Sequence, residues 1–217
     1  MKAFVITIMD NEKSVQAANR CIKSAKKYDL SVDMFHAVTP KDNPERMLNL
    51  EWGVDTTGFK RDERYSRRAN AIAAFASHYS LWKLCAEDNE DYLILEHDAV
   101  FKGAVPKPLT YSGLMSLGHP SYGKFHMPAR MGENPLTSKA YFPGAHAYMI
   151  SPEKAKIVMD KAKRESDATD VFLHRSRFPF LTEYYPWPIV ADDNFTTIQK
   201  ERGCLAKHNY GETYEII

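Results

Sequence analysis

The sequence predicts an α/β protein, in which short buried strands alternate with helices. Two apolar runs, at residues 2–8 and 92–95, have the length and composition of buried strands. Apolar residues recur at helical spacing at 15–25, after the first run, and at 67–86, before the second. Three ionisable residues follow directly where the second run ends. Because ligands in open α/β sheets bind beyond the carboxyl ends of strands, a site is expected at that point.

The first half of the chain predicts the elements that would carry this site. Asp10 or Asn11 is expected to cap the first helix, and residues 31–38 are expected to form the next strand. The polar stretch TPKDNPER at 39–46 contains two prolines and indicates a loop. The helix at 67–86 is apolar around most of its girth, so we expect it to pack on two sides. Its larger apolar positions are Ile72, Phe75, Tyr79, Trp82 and Ala86.

The second half predicts two more strands and two more helices. AHAYMI at 145–150 has the pattern of a strand, and PWPIVADD at 186–193 predicts a short strand flanked by prolines. Between them, Ser151 is expected to cap a helix, with proline and an acid in its first turn. A further helix is expected to begin near Thr169 and Asp170.

Composition and charge narrow the class of protein. The formal net charge is +1, whereas nucleic-acid binding usually requires a clear basic excess, so nucleic acid is not expected as a partner. No apolar run reaches the length of a membrane span. The three cysteines are widely separated and form no CxxC pair, which suits a reducing compartment and excludes a disulfide framework. We therefore expect a cytoplasmic enzyme or binding protein.

The ionisable residues after the second strand are Glu96, His97 and Asp98. Two carboxylates one residue apart can reach one ligand, and paired oxygen donors suit Mg²⁺ or Mn²⁺ with substrate phosphates. In an extended chain His97 would point away from its two neighbours and would be only a surface side chain. An acid pair that is merely solvated or bonded to an arginine has the same local spacing. A His-Asp pair of a metal phosphohydrolase is a further alternative, although such a pair normally lies on a helix.

Several segments, taken in order, resemble glycosyltransferase family 25, the lipopolysaccharide and collagen-type sugar transferases. They are AFVITI, AFASHYSLWKLCAEDNEDYLILEHDAVF, GAHAYMISPEKAKIV, TDVFLHRS and YPWPIVADDNFTTI. The chain departs from the family at two places. The usual Glu-Asp-Asp triplet is Glu96-His97-Asp98 here, and the usual Gly-Cys pair before Ser-His is Ala74-Phe75. The first change keeps both outer acids, and we expect the second only to repack the helix.

The resemblance implies a GT-A fold, which is a single α/β domain with a mixed central sheet flanked by helices. Residues 1–100 would be the nucleotide-sugar-binding half and residues 101–217 the acceptor-site half. It also implies metal-assisted, inverting transfer of a hexose such as galactose or glucose from a nucleotide-diphosphate donor such as UDP-hexose. The acceptor would be a hydroxyl of a glycan or another molecule, as in lipopolysaccharide biosynthesis. The alternative is a non-catalytic nucleotide-sugar or glycan-binding protein of the same fold.

Metal and catalytic roles follow from this resemblance. Asp98 would be the principal ligand of Mn²⁺ or Mg²⁺, and Glu96 would reach the metal, a metal-bound water or the ribose. His208 would be a third metal ligand, as in other enzymes of this fold, or an ordinary residue near the C-terminus. Asp170 is the candidate base, since inverting transfer needs a carboxylate near the acceptor hydroxyl. If Asp170 is only an acid at a helix start, Asp192 or Asp193 is the next candidate.

The predicted substrate-binding residues lie on the first strand and the long helix. Thr7 and Met9, where the first strand ends, would touch the nucleobase by analogy of fold. Arg67 and Arg68 lie at the N-terminus of the helix and would hold phosphate, unless they are only part of the solvated charge run KRDERYSRR. The remaining candidates are Asn70, Ser77 and His78, of which His78 has the alternative of an ordinary core histidine.

Overall fold

The computed structural model describes residues 1–62, 66–107, 111–142, 144–192, 195–199 and 215–216, without the side chains of residues 60–62 and 216. The α-helices in these ranges are α1 (Glu12–Ala25), α2 (Pro44–Arg46), α3 (Arg68–Asp88), α4 (Pro152–Ala162) and α5 (Thr169–Phe172). The strands are β1 (Lys2–Thr7), β2 (Asp33–His36), β3 (Tyr92–Glu96), β4 (Ala99–Phe101), β5 (Leu114–Ser116), β6 (Gly132–Pro135), β7 (Ala147–Ile150), β8 (Thr182–Tyr185), β9 (Ile189–Ala191), β10 (Phe195–Thr196) and β11 (Glu215–Ile216). Short 3₁₀ turns lie at Lys26–Tyr28, Pro40–Asp42 and Thr57–Asp62, and a π-helical turn at Met47–Glu51.

A mixed seven-stranded sheet confirms the predicted α/β class. Its strand order is β2-β1-β3-β7-β5-β8-β6. Strand β1 runs parallel to both β2 and β3, whereas β7 runs antiparallel to β3. The strands β4 and β9 form a separate antiparallel pair, and β10 pairs in parallel with β11. The sheet therefore joins strands from both halves of the chain, and its GT-A classification stays a prediction.

The central strand β3 is buried on both faces of the sheet. Tyr92 and Ile94 belong to an apolar cluster with the residues of α3, whereas Leu93 and Leu95 pack with residues of α1. Successive side chains of a strand point to opposite faces, so a strand covered on both sides reads as one continuous apolar run. Each buried Leu or Ile contributes about 1.5–3 kcal/mol. This burial fixes the position of Glu96, where the strand ends.

The long helix α3 packs on two sides, as the sequence predicts, although it begins at Arg68 and ends at Asp88. Phe75 and Trp82 are fully buried, and Phe75 makes an edge-to-face contact with Phe172 of α5 at 5.3 Å between ring centroids. The next residue, Asn89, caps the helix, and its φ of 51° is the left-handed conformation that commonly terminates helices. Because α3 packs against residues of the sheet, of α4 and of α5 in one apolar cluster, its position is held by several elements.

Side-chain caps begin α1 and α4 at the predicted residues. The Asn11 side chain accepts a hydrogen bond from the Ser14 backbone N–H at 3.1 Å. The Ser151 hydroxyl accepts from the Lys154 backbone N–H at 3.3 Å, and Pro152 is the first helical residue. Helix α5 begins at Thr169, as predicted, but extends over only one turn. The predicted strands at 31–38 and 186–193 are likewise shorter, at 33–36 and 189–191.

The parallel pairing of β1 and β3 brings their carboxyl ends to the same edge of the sheet. Ile6 of β1 is opposite Glu96 of β3. The chain then turns at His97 and Asp98 before β4 begins at Ala99. None of the helices in the described ranges is both long enough and apolar enough to cross a membrane. A ligand site is therefore expected at the edge where β1 and β3 end.

The Ser151 cap gives a direct test of how α4 is held. We expect Ser151→Ala to lower the free energy of unfolding by about 1 kcal/mol, because the Lys154 N–H loses its acceptor. Ser80→Ala is the matched control, since the Ser80 hydroxyl donates to the Ala76 carbonyl within α3 and alanine favours the helix. Urea denaturation followed by circular dichroism measures both. An unchanged midpoint for Ser151→Ala would contradict the capping role.

Candidate functional site

A cavity of about 790 Å³ opens at the edge where β1 and β3 end. Its walls come from these strand ends, the first half of α3, and the loops before α2 and α5. Residues 121–122, 141, 144–146 and 195–199 complete it. Small-molecule sites are typically clefts of about 300–1,000 Å³. The cavity therefore has room for a ligand the size of a nucleotide with an attached sugar.

Glu96 and Asp98 both line this cavity. Glu96 is the last residue of β3, and its side chain is 33% exposed. The Asp98 backbone carbonyl accepts a hydrogen bond from the Asp192 N–H at 2.9 Å, which fixes the chain after the turn. Burial raises the pKa of Glu96 well above its usual range, and repulsion from Asp98 and Asp170 raises it further. These carboxylates place negative charge in the cavity, and a bound cation would stabilise that charge.

The expectation that His97 is only a surface side chain turned away from the site is wrong. His97 lines the same cavity as its two neighbours. Its Nδ1 forms a hydrogen bond of 3.0 Å with the Ser14 hydroxyl, and its ring stacks on Phe195 at 5.2 Å between centroids. Burial lowers the pKa of His97. The prediction failed because the strand ends at Glu96, so the alternation of an extended chain no longer applies at position 97.

His78 is held entirely by side chains inside the core. It is 1% exposed, and its Nδ1 lies 2.8 Å from the Tyr148 hydroxyl. Its Nε2 lies 3.1 Å from Glu96 Oε1. The Trp82 indole N–H donates to the same Tyr148 hydroxyl at 2.8 Å. His78 is thus neither a core histidine bonded to the backbone nor a free side chain, but a partner of the cavity carboxylate.

Asp170 lines the cavity from the first turn of α5. Its Oδ2 accepts a hydrogen bond from the Tyr122 hydroxyl at 2.5 Å, and its Oδ1 accepts from the Val171 N–H at 2.8 Å. Burial raises the pKa of Asp170, while the Tyr122 hydrogen bond lowers it. A carboxylate has about four acceptor positions, so these bonds still leave room for a ligand hydroxyl. The arrangement allows Asp170 to accept a proton.

Two of the other predicted binding residues also line the cavity. The Asn70 side chain donates to the Thr197 carbonyl at 2.7 Å, which ties α3 to the segment at 195–199. The Ser77 hydroxyl accepts from the Val38 N–H at 2.9 Å and donates to the Ala73 carbonyl at 3.0 Å. Both side chains therefore hold the cavity walls in the absence of a ligand.

The remaining predicted binding residues lie outside the described lining of the cavity. Arg68 forms an ion pair with Glu45, and the Arg67 guanidinium donates to the Thr196 carbonyl at 3.3 Å. Thr7 is buried, and its hydroxyl donates to the Val5 carbonyl. Met9 is 47% exposed. Phosphate binding by the two arginines and base contact by Thr7 and Met9 stay predictions.

The described residues could supply some of the ligands of a metal ion but not a complete set. No group of three or more histidine, cysteine or acidic side chains suited to a metal occurs within the described ranges. His208 lies outside the described residues. Glu96 and Asp98 would supply two oxygen ligands, and Mg²⁺ or Mn²⁺ commonly binds through one or two carboxylates plus substrate phosphates. The donor set therefore fits an ion that arrives with a diphosphate.

The lining residues that sequence reasoning did not assign to the site include Tyr122, Tyr141, His146 and Phe195. Tyr122 and Tyr141 lie in loops, where no periodic pattern marks a side chain that reaches a site. His146 is 2% exposed. Its ring fits because Gly118 and Gly144 beside it have no side chain: a Cβ at Gly118 would lie 2.4 Å from the His146 Nε2. Gly144 has a φ of 105°, a backbone conformation that favours glycine, so the glycines beside His146 are the residues that could have marked it.

Comparison of the sequence with known protein families identifies the family of this chain. The model of glycosyltransferase family 25, described as LPS biosynthesis protein, matches residues 1–113. The match covers more than half of the 217 residues and includes α3 and the Glu96-His97-Asp98 triplet, whereas Asp170 lies beyond it. No curated protein matches the chain. The chain belongs to glycosyltransferase family 25.

Proposed function

We propose that the protein transfers a hexose from a nucleotide-diphosphate donor, such as UDP-galactose or UDP-glucose, to a hydroxyl of a glycan or similar acceptor. One observation carries this proposal. A single cavity contains the acid pair of the family's triplet, Glu96 and Asp98, together with a third carboxylate, Asp170, on a different element. A group transfer from a diphosphate needs both a site for the cation that accompanies the diphosphate and a separate base for the acceptor.

Glu96 and Asp98 would hold Mn²⁺ or Mg²⁺ against the donor diphosphate. Such an ion, when bound, stabilises the negative charge that develops on the departing nucleoside diphosphate. The raised pKa of Glu96 supports this role, because its main causes are burial and the charges of Asp98 and Asp170. A divalent cation would favour the ionised form of the pair. Asp98 is the principal ligand in this proposal, and Glu96 completes the site or reaches the ribose.

Asp170 would act as the base. The acceptor hydroxyl would donate its proton to a free position on the Asp170 carboxylate while its oxygen attacks the anomeric carbon and the diphosphate leaves. Attack from the face opposite the leaving group inverts the configuration. Burial supports this assignment, because it raises the pKa of Asp170 toward that of an effective base at neutral pH. The Val171 N–H and the Tyr122 hydroxyl would keep the carboxylate in place.

A binding protein without turnover is the alternative that must be separated from the enzyme. Incubation of the purified chain with several UDP-hexoses and Mn²⁺ separates them, since a transferase releases some free sugar by transfer to water. Release of free hexose and UDP supports the proposal. Stoichiometric binding without release would indicate a binding protein, whereas UMP and hexose 1-phosphate from the UDP-hexose, or inorganic phosphate from added UDP, would indicate a phosphohydrolase.

Asp98 tests the metal site. We expect UDP to raise the melting temperature much more with Mn²⁺ than with a chelator, because ligand binding to the native state shifts unfolding. Asp98→Asn should remove the metal-dependent part of this shift while leaving the protein folded. Asp160→Asn, which changes an exposed carboxylate on α4, is the matched control and should keep the full shift. Equal shifts for the wild type with and without Mn²⁺ would count against the metal role.

Asp170 tests the base. Asp170→Asn keeps the size of the side chain and removes the proton acceptor, so UDP-hexose turnover should fall by about 10²–10⁴-fold. The affinity for UDP with Mn²⁺ should hardly change, because the base acts on the acceptor. Asp160→Asn is again the control, since Asp160 is an exposed carboxylate of α4 outside the described cavity lining. If Asp170→Asn lowers only the melting temperature and leaves turnover per folded molecule intact, Asp170 is not the base.

Tyr122 tests the same assignment through pH. Its hydrogen bond lowers the pKa of Asp170, so Tyr122→Phe should raise that pKa further above its usual value. Asp167, Glu96 and Lys139 are the charged groups that interact with Asp170, and they stay unchanged. Because the base must be ionised, activity is lost as pH falls through its pKa. The acidic limb of kcat/KM should therefore move to higher pH.

Tyr185→Phe, which changes a tyrosine of β8 outside the described cavity lining, controls for the loss of a phenol and should leave the limb in place. An acidic limb that stays at the wild-type pH in Tyr122→Phe would show that another group sets it.

A further inference from the structure

Three fully buried side chains lead from the core to the cavity carboxylate Glu96. They are Trp82 of α3, Tyr148 of β7 and His78 of α3, and they are 0–1% exposed. The hydrogen bonds run from Trp82 Nε1 to the Tyr148 hydroxyl at 2.8 Å, then to His78 Nδ1 at 2.8 Å, and from His78 Nε2 to Glu96 Oε1 at 3.1 Å. In each of these three contacts, the chemistry of the two groups identifies the donor and the acceptor.

The Trp82 indole determines which group donates and which accepts in this series of hydrogen bonds. Trp82 Nε1–H can only donate, so the Tyr148 oxygen accepts from it. Tyr148 has one proton, and His78 Nδ1 is the acceptor next to it, so that nitrogen carries no proton. A neutral His78 must then carry its proton on Nε2 and donate to Glu96 Oε1. Each of the three protons then has one acceptor.

The opposite direction leaves a buried donor without an acceptor. If His78 carried its proton on Nδ1, the Tyr148 oxygen would accept from both neighbours, and its own proton would have no acceptor among the described residues. An unsatisfied donor in a dry core is strongly disfavoured. The assignment holds whether or not Glu96 Oε2 carries a proton, because only Oε1 takes part in it.

We propose that Trp82, Tyr148 and His78 form a one-way hydrogen-bond relay that fixes Glu96 Oε1 as an acceptor and leaves Oε2 for the ligand. The three are positioning residues, which act on the ligand only through Glu96. The relay compensates part of the cost of keeping a carboxylate at this place, because the His78 N–H stabilises its charged form. It also restricts what Glu96 can bind with an ionised Oε2, which is a cation or a hydroxyl donor. The ligand role of Glu96 rests on the proposed function, whereas the relay itself does not.

The relay predicts one tautomer of His78, which can be measured in the protein without any ligand. Two-bond ¹H–¹⁵N correlation spectra of the full chain, labelled at its eight histidines, identify the protonated ring nitrogen of each. The signal that disappears in His78→Gln assigns His78. We expect a neutral ring with the proton on Nε2. A proton on Nδ1, or a doubly protonated ring at neutral pH, would overturn the relay.

Variants then test what the relay does for the ligand. Tyr148→Phe leaves the Trp82 N–H and His78 Nδ1 without their partner, and we expect the Kd for UDP with Mn²⁺ to rise by about 10-fold or more, as when the supporting partner of a metal ligand is removed. Tyr92→Phe is the matched control. Tyr92 is 1% exposed, and its hydroxyl donates to Asp88 at 2.5 Å, at the opposite end of β3 from Glu96. Its Kd should equal that of the wild type.

His78 itself distinguishes positioning from packing. His78→Gln retains an N–H that can reach Glu96, and it should keep most of the affinity for UDP with Mn²⁺, whereas His78→Leu should lose it. Calorimetric titration measures both, and the melting temperature without ligand reports the change in stability separately. Equal affinity in His78→Leu and the wild type would contradict the positioning role. If the wild type binds no UDP, the proposed function fails, and the tautomer of His78 still decides whether the relay exists.

Discussion

Repulsion and desolvation among carboxylates in one cavity are the constraint on which the site depends. Glu96, Asp98 and Asp170 come from two separate parts of the chain, and the pKa of Glu96 is raised by burial and by both other acids. Such a cluster is unfavourable in a protein interior unless cations, hydrogen bonds or protons compensate for it. The hydrogen-bond donors around the cavity supply part of this compensation, and a divalent cation bound with a diphosphate would supply the rest.

The scaffold makes this costly arrangement possible because the elements that carry it are held rigidly. Strand β3 is covered by helices on both faces, and the parallel pairing of β1 with β3 fixes where both strands end. Helix α3 packs against the sheet, α4 and α5 in one apolar cluster, so His78 reaches Glu96 from a fixed direction. A residue placed by such packing needs little further ordering when a ligand arrives, which favours both affinity and catalysis.

The sequence predicted those parts of the fold that depend on neighbouring residues. Its predictions failed for side chains whose positions depend on contacts with distant segments of the chain. The caps at Asn11 and Ser151 and the apolar girth of α3 are local patterns, and the structure confirms them. The prediction for His97 failed because β3 ends at Glu96 and because Ser14 and Phe195, which hold the ring, are far away in the chain. Tyr122 lies in a loop without periodicity, so its bond to Asp170 is visible only in three dimensions. The antiparallel pairing of β7 with β3, which brings Tyr148 beside His78, is likewise a long-range contact.

The central claim is that Asp98 and Glu96 hold a divalent cation together with a nucleotide diphosphate. A crystal of the protein grown with UDP and Mn²⁺, with diffraction data collected at the manganese absorption edge, locates the ion directly. The account predicts one anomalous peak in the cavity, about 2 Å from an Asp98 carboxylate oxygen and from oxygens of the diphosphate. UDP bound in the cavity without an ion, or an ion bound away from Asp98, would contradict it.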